Sequence, residues 1–284
     1  MSLNSVNTNL NASIALQSLN RTSSQLATIQ KTISTGYRVA DATDDGAAYA
    51  VAQRVRSDVG VLGSANQQLG NVKGLISTTI TGLNSVSNTL ADARQILVKL
   101  GDSNIQGDQR TQYVAQYQSR LANVKTFIQD AGYNNKTLIG NITGSNGVHG
   151  GVAVIRNEVG ATYGVASFGG SAFFASVNFT STSLASATAV QALLTQTGAF
   201  LNKLSSLGTQ LNKYGSASKY VDNQVSYNND KIDSLNGGLG SLIDADLAKE
   251  SAKLQALQIR QQLGVQALSI ANQAPQSLLS LFKG

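Results

Sequence analysis

The residues that could do chemistry in this chain are few and poorly placed for it. His149 is the only histidine, set in the run NGVHGG, and there is no cysteine. One imidazole without thiolates cannot build a usual structural zinc site, so His149 reads as a solvated turn residue. The stretch Asp41-Ala42-Thr43-Asp44-Asp45-Gly46 puts acids and a glycine near the offsets of a calcium loop. Its third position is Thr43, however, and Ala52 stands where the bidentate Glu is needed. Asp44 and Asp45 read instead as N-capping and first-turn acids of a long helix, and Asp244 and Asp246 play the same part for a C-terminal one. There is no glycine-rich phosphate loop ending in Lys-Ser or Lys-Thr, and no His-Glu-x-x-His. Paired carboxylates for acid–base work would need a pocket, which long heptad helices rarely offer. No catalytic, cofactor-binding or metal-binding residues are therefore expected, and no enzyme.

Composition points the same way. Only 13% of the 284 residues are charged and 6% aromatic, and there is a single proline. Proline breaks helix interiors, so its scarcity favours long uninterrupted helices. The net charge of +6 is spread over scattered Lys and Arg, with Arg54 and Arg56 the densest pair. That is a mildly basic surface and not a nucleic-acid patch. No stretch approaches the ~18 apolar residues a membrane span needs, so no membrane insertion is expected. The opening MSLNSVNTNLNASIAL lacks the basic start and apolar core of a cleaved signal peptide. A protein leaving the cell with this N-terminus would do so by a route that keeps it.

The elements declare themselves by period. Val55, Leu62, Leu69, Ile76, Leu83, Leu90 and Leu97 recur every seven residues, with Ala65, Val72, Thr79, Val86, Ala93 and Leu100 three further on. This is a sustained heptad, predicting a helix from Asp45 to about Leu100, a rod of roughly 80 Å. A second run, Val114, Tyr117, Leu121, Val124 and Ile128, follows a loop in which Asp108 is the expected N-cap. A third, over 190–235, places Leu211, Tyr214, Ser218, Val221, Val225, Asn228, Ile232 and Leu235 at the same spacing. Between the second and third runs, residues 141–183 turn rich in Gly, Ser, Thr, Val and Phe. Residues 152–155, 163–166 and 173–179 read as short strands, with a turn at 157–160.

The ends are helical and apolar on more than one side. Near the start, Leu3, Leu10 and Ile14 share one face, and Ala12, Ala15, Leu19, Leu26, Ile29 and Ile33 another. Near the finish, Ile243, Leu247, Leu254, Leu257, Val265 and Leu268 form one face. Ala252, Ala256, Ile259, Leu263, Ile270 and Ala274 form the opposite one. Pro275 is expected to end or bend this helix near Ala274. A helix apolar on two sides needs neighbours on both, and another copy of the chain would supply them. The subunit-interface candidates are thus Leu3, Leu10, Ile14, Leu19, Leu26, Ile33, Leu247, Leu254, Leu257, Leu263, Leu268 and Ile270. The predicted fold class is mainly α: an elongated antiparallel heptad-repeat helical bundle with paired terminal coiled-coil helices and a small β-containing excursion mid-chain.

The block SVNTNLNASIALQSLNRTSSQLATIQKTISTGYRVADATDDGAAYAVAQRVRSDV, and the block LGSLIDADLAKESAKLQALQIRQQLGVQALSIANQAPQSLLSLF near the other end, resemble bacterial flagellins. The similarity is greatest to the short flagellins of alphaproteobacteria, and it leaves out about 141–183. The resemblance implies a self-assembling subunit of the flagellar filament used for swimming, located outside the cell. It implies three regions: 1–43 with 242–284 as terminal coiled-coil domain forming an inner tube, 44–140 with 184–241 as outer-tube helical domain, and 141–183 as a short outer tip. It also implies unfolded passage through the type III export gate. Further partners would be an export chaperone on the C-terminal segment, a filament cap, and hook–filament junction proteins. The alternative, that the chain is itself a hook–filament junction protein, is disfavoured because such proteins usually match the IANQAPQ ending poorly. Flagellins sensed by the flagellin-sensing toll-like receptor carry a motif like L-Q-R-V-R-E-L. Here Leu90-Ala91-Asp92-Ala93-Arg94-Gln95-Ile96 keeps its second Arg as Arg94 but has Asp92 for the first. A family Glu on the next helix aligns with Gln116, so weak or absent receptor activation is expected.

Overall fold

The computed structural model describes residues 9–282, with side chains described as far as Gln273. Leu3 lies outside the described residues. The elements in chain order are α1 Leu10–Thr35, α2 Gly46–Leu100, α3 Gly107–Asp130, β1 Gly132–Tyr133, β2 Lys136–Thr137, β3 Val148–His149, β4 Val152–Ile155, β5 Thr162–Val165, α4 Gly170–Val177, α5 Ala187–Leu194, α6 Ala199–Ile243 and α7 Leu247–Phe282. They fall into two compact units. One comprises 58–233, the other 1–57 with 234–284.

In the unit of residues 58–233, the heptad forms the core. Leu62, Leu69, Ile76, Leu83, Leu90 and Leu97 are buried, as are all six companion positions from Ala65 to Leu100. From Leu69 onward the apolar ones pack with Tyr117, Leu121, Val124 and Ile128 of α3, and with Tyr214 and Val221 of α6. Val114, Leu211 and Val225 pack at its margin. Helix α2 opens on Gly46 and weaves five further glycines through its length, so this burial, rather than intrinsic propensity, is what holds it helical. Two of the five have a packing reason: Tyr133 lies across Gly74, and Ala131 sits over Gly82.

Three stretches of the chain differ from expectation. Residues 173–179 are not a strand, because α4 covers 170–177 and buries Phe173 and Val177, four apart, on one side. A short run of aromatic and β-branched residues does not distinguish strand from helix by period; here the i, i+4 pair does. The third heptad run is two helices, α5 and α6, broken at 195–198, where the Gly198 N–H turns back to the Thr195 carbonyl. Asp108 stands in the first turn of α3, and Gln106 takes the cap position. The hairpin β4–β5 forms as expected, with Val152 opposite Val165 and Ile155 opposite Thr162. A second, smaller sheet of order β1-β2-β3 accompanies it. Its β1–β2 hairpin turns through Asn134 and Asn135, both at positive φ, the geometry of a type I′ turn.

A polar knot is built into this unit. Asn228, at a core position of α6, is fully buried. Its Nδ2 donates to Asn66 Oδ1 at 2.8 Å and to the Arg156 carbonyl at 3.0 Å, while Gln224 Nε2 donates to its Oδ1. A buried Asn in a heptad seam costs stability but fixes register, because any slip strands its amide. Here it also pins the hairpin loop, where Glu158 pairs with Lys231.

His149 is half-buried in β3 rather than solvated, and its Nε2 bonds the Phe168 carbonyl at 3.2 Å. Since a carbonyl only accepts, Nε2 carries the proton.

Candidate assembly surfaces

The other unit is built on the chain ends. Asn9 caps α1, its Oδ1 accepting the Ala12 N–H at 3.1 Å. Gly36, at φ 74°, closes the helix by donating to the Thr32 carbonyl. Asp45 caps α2 by accepting from Ala47 and Ala48, and Asp246 caps α7 by accepting from Ala248 and Lys249. Asp44 and Asp244 are not helix caps. Asp44 accepts the Ala40 and Asp41 N–H groups, and Asp244 bridges to Tyr37.

Helices α1 and α7 pack against each other over much of their length. The seam alternates by three and four on both sides. On α1 it is Ala12, Ala15, Leu19, Thr22, Leu26, Ile29 and Ile33; on α7 it is Leu254, Leu257, Gln261, Gly264, Leu268 and Ala271. Thr22 and Leu257 are buried and the others half-buried. Small residues permit the close approach, and a Cβ on Gly264 would meet Leu19 Cδ1 at 3.3 Å.

Both ends of the seam are tied. At one, the Ala245 N–H donates to the Gly36 carbonyl, the Arg38 N–H to Ile243, and the Arg38 guanidinium to the Leu242 carbonyl at 2.6 Å. Val39, Ala48, Ala52 and Ile243 form a small core beneath this clasp. At the other end, α7 does not stop near Ala274 but continues through Pro275 to Phe282. A helical proline lacks the N–H that would serve the carbonyl four residues back, here that of Ala271. Asn9 Nδ2 donates to that carbonyl at 2.6 Å. One amide thus caps α1 and fills the acceptor that the proline leaves open. Asn9→Ala is expected to cost about 1 kcal/mol of helix-pair stability. In Pro275→Ala, which restores the N–H, the same change should cost less. Hydrogen exchange along α1 in the four-member mutant cycle checks this; strictly additive effects would separate the two residues.

The calcium-like stretch closes on an ammonium group. Lys31 Nζ lies 2.6 Å from Asp41 and 2.9 Å from Asp44. Hydrogen bonds from Lys31, and then from Thr43, hold the Asp41 carboxyl well below its ordinary range. Lys31, and then the Ala40 N–H, lower Asp44, and the two acids raise Lys31. Among the described residues there is no cluster of His, Asp or Glu able to hold a metal ion.

The outward faces are apolar and bare. Leu10, Ile14, Leu16, Leu247, Ile259, Leu263, Val265 and Ile270 each expose 47 to 68% of their surface. Of the interface candidates, then, Leu10, Ile14, Leu247, Leu263 and Ile270 face outward. Leu19, Leu26, Ile33, Leu254, Leu257 and Leu268 are engaged in the seam within one chain. Val265 and Leu247, grouped by period on one face with Leu254, Leu257 and Leu268, are exposed while those three line the seam. Leu16 is an outward apolar residue that the periodic reading passed over. The Lys31 knot, the clasp and the Asn9 latch were also missed; only the Asn before the first periodic residue and the lone proline hinted at the last.

Of the receptor-motif positions, Asp92 and Gln116 line one shallow cleft with Ile96, Lys99 and Arg120. Arg120 Nη1 stands 3.9 Å from Asp92. Arg94 is exposed and does not line that cleft.

A mainly helical chain whose paired ends bury one face and leave another bare has the construction of a polymer subunit. The family comparisons agree. Residues 6–143 match the bacterial flagellin N-terminal helical region, and 185–282 the bacterial flagellin C-terminal helical region. Flagellin FljM of Caulobacter vibrioides is 33% identical, with all of both chains covered. A flagellin of Brucella melitensis biotype 1 is also 33% identical, over 99% of each chain. The fold is shared with a putative flagellar hook-associated protein from Vibrio parahaemolyticus, at a TM-score of 0.55 and 15% identity, covering 71% of this chain and all of that one. The chain belongs to the flagellin family and is a structural subunit of the bacterial flagellar filament, not an enzyme.

Proposed function

We propose that the paired helices α1 and α7 are the part of the subunit that makes the filament, forming its inner tube, with 44–140 and 184–241 around them and 141–183 outermost. The observation that carries this is the second apolar face on both helices, which one chain leaves uncovered. Each half-exposed aliphatic side chain gains on the order of 1 kcal/mol when a neighbour covers it, and the gain repeats at every subunit. Family membership supports the rest of the reading: unfolded transit through the type III gate, a chaperone on the C-terminal segment, and growth beneath a cap beyond the junction proteins. The alternative of a junction protein rests on a shared fold alone. Leu263→Asp tests the assembly surface, because Leu263 is exposed in the lone chain. The variant should keep the helicity and melting of the parent while forming no filaments in negative stain. Normal filaments would remove the outer face from the interface.

Asp92, 3.9 Å from Arg120, puts a carboxylate where the receptor-binding motif has a cation, and Gln116 lacks the family's charge. This chain is therefore expected to activate the flagellin-sensing receptor weakly or not at all. Potency equal to an enterobacterial flagellin in an epithelial reporter assay would contradict it.

A further inference from the structure

Charge is segregated along the paired helices. No acid precedes Asp41 and none follows Glu250, so every acid on the terminal segments lies near the clasp. The rest of the pair carries Arg21, Lys253 and Arg260. Arg21 and Arg260 form no ion pair among the described residues, and Lys253 has only its exposed contact with Glu250. Lys253 and Arg260, seven apart and on one face of α7, edge a cleft of about 450 Å³ whose other wall includes Thr28 and Ile29. At the clasp, the exposed Leu247 follows Asp246. Asp246 caps α7 through Oδ1 and forms no ion pair among the described residues.

We infer that the clasp of one copy docks in this cleft on the next, Leu247 over Ile29 and the Asp246 carboxylate against Arg260. The inference rests on the filament reading and adds which patch meets which. The two patches are different and lie on the same unit, so the contact is heterologous. Each copy at an end keeps one free patch, so the contact propagates from copy to copy instead of being used up in a dimer. Pairing cleft to cleft would instead oppose like charges, which selects against a closed dimer.

Because the chain has no cysteine, two single variants supply the only thiols. Leu247→Cys and Thr28→Cys copies are mixed, polymerised and oxidised. A disulfide-linked dimer is expected from the polymerised mixture, and none from either variant alone or from unpolymerised mixture. Filaments that form from the mixture without that dimer would overturn the docking and leave the filament reading standing. An unmodified chain that never polymerises would instead overturn the filament reading. Independently, Arg260→Glu should raise the critical concentration for assembly about fivefold or more at low salt, with Arg260→Lys close to the parent. Equal critical concentrations for the parent and Arg260→Glu would also defeat the proposal.

Discussion

A chain cut after Ile243 is expected to form no filaments while its central unit folds as before. The cut removes α7, 36 residues long, and with it the partner of the α1 seam. Leu19, Leu26, Ile29 and Ile33 then lose their cover, leaving a 26-residue helix rich in Ser, Thr and Asn. Such a helix is marginal in water without packing. The loss does not propagate through residues 58–233, because the large core is complete within them. The far-UV helical signal should therefore fall by roughly the contribution of α7 plus much of α1. The melting midpoint of the remaining helices should stay within about 2 °C, since no contact of their core is removed. Electron micrographs under polymerising conditions should show no filaments. Normal filaments from this truncation would mean that assembly is held elsewhere. A collapse of the main melting transition would mean that the two units fold as one.

The contrast between this unit and the central one explains what could be read from sequence. In α2 the buried positions repeat without exception from Leu62 to Leu100, because one helix face meets one core and period alone identifies it. On α1 and α7 the same arithmetic found both faces. It could not say which side the chain itself covers, since Leu257 and Leu263 are equally apolar and only the partner distinguishes them. Polar ties were less legible still. Lys31 meets aspartates ten and thirteen residues away, around a helix end, and Asn9 meets Ala271 across nearly the whole sequence. No local pattern marks such pairs. Pro275 shows the same limit from the other direction. The local rule predicts a break, and a side chain from the far end of the sequence supplies the bond whose loss would cause it.

Tyr117 is one of the points where the mid-chain excursion is fastened to the helices, and it should weigh heavily in the response of the central unit to mutation and to alkali. It occupies a heptad position of α3, is fully buried, and donates its hydroxyl to the Val177 carbonyl. Its ring stacks on Phe179, which in turn meets Phe200 of α6. Tyr117→Ala should cost about 3–5 kcal/mol by cavity formation. Tyr117→Phe should cost about 1 kcal/mol, because the Val177 carbonyl loses one of its two hydrogen bonds and keeps only that from the Phe179 N–H. Burial pushes the Tyr117 phenol well above its ordinary value of 10.0. Tyr214, whose hydroxyl donates to Ala166, is pushed up to about 12 by the same cause. A phenol that resists ionisation when folded favours the native state below its unfolded pKa. That advantage is lost as pH rises from about 10 towards the folded value, because the unfolded chain releases its protons first. For Tyr117 the slope is at most about 1.4 kcal/mol per pH unit. Phenylalanine has no proton to lose, so the Tyr117→Phe variant should be clearly less stable than the parent at pH 8 and approach it by about pH 11. Thermal melts of both proteins across that range check the claim. A gap that stays constant with pH would show that Tyr117 ionises as readily in the folded protein as in the unfolded chain.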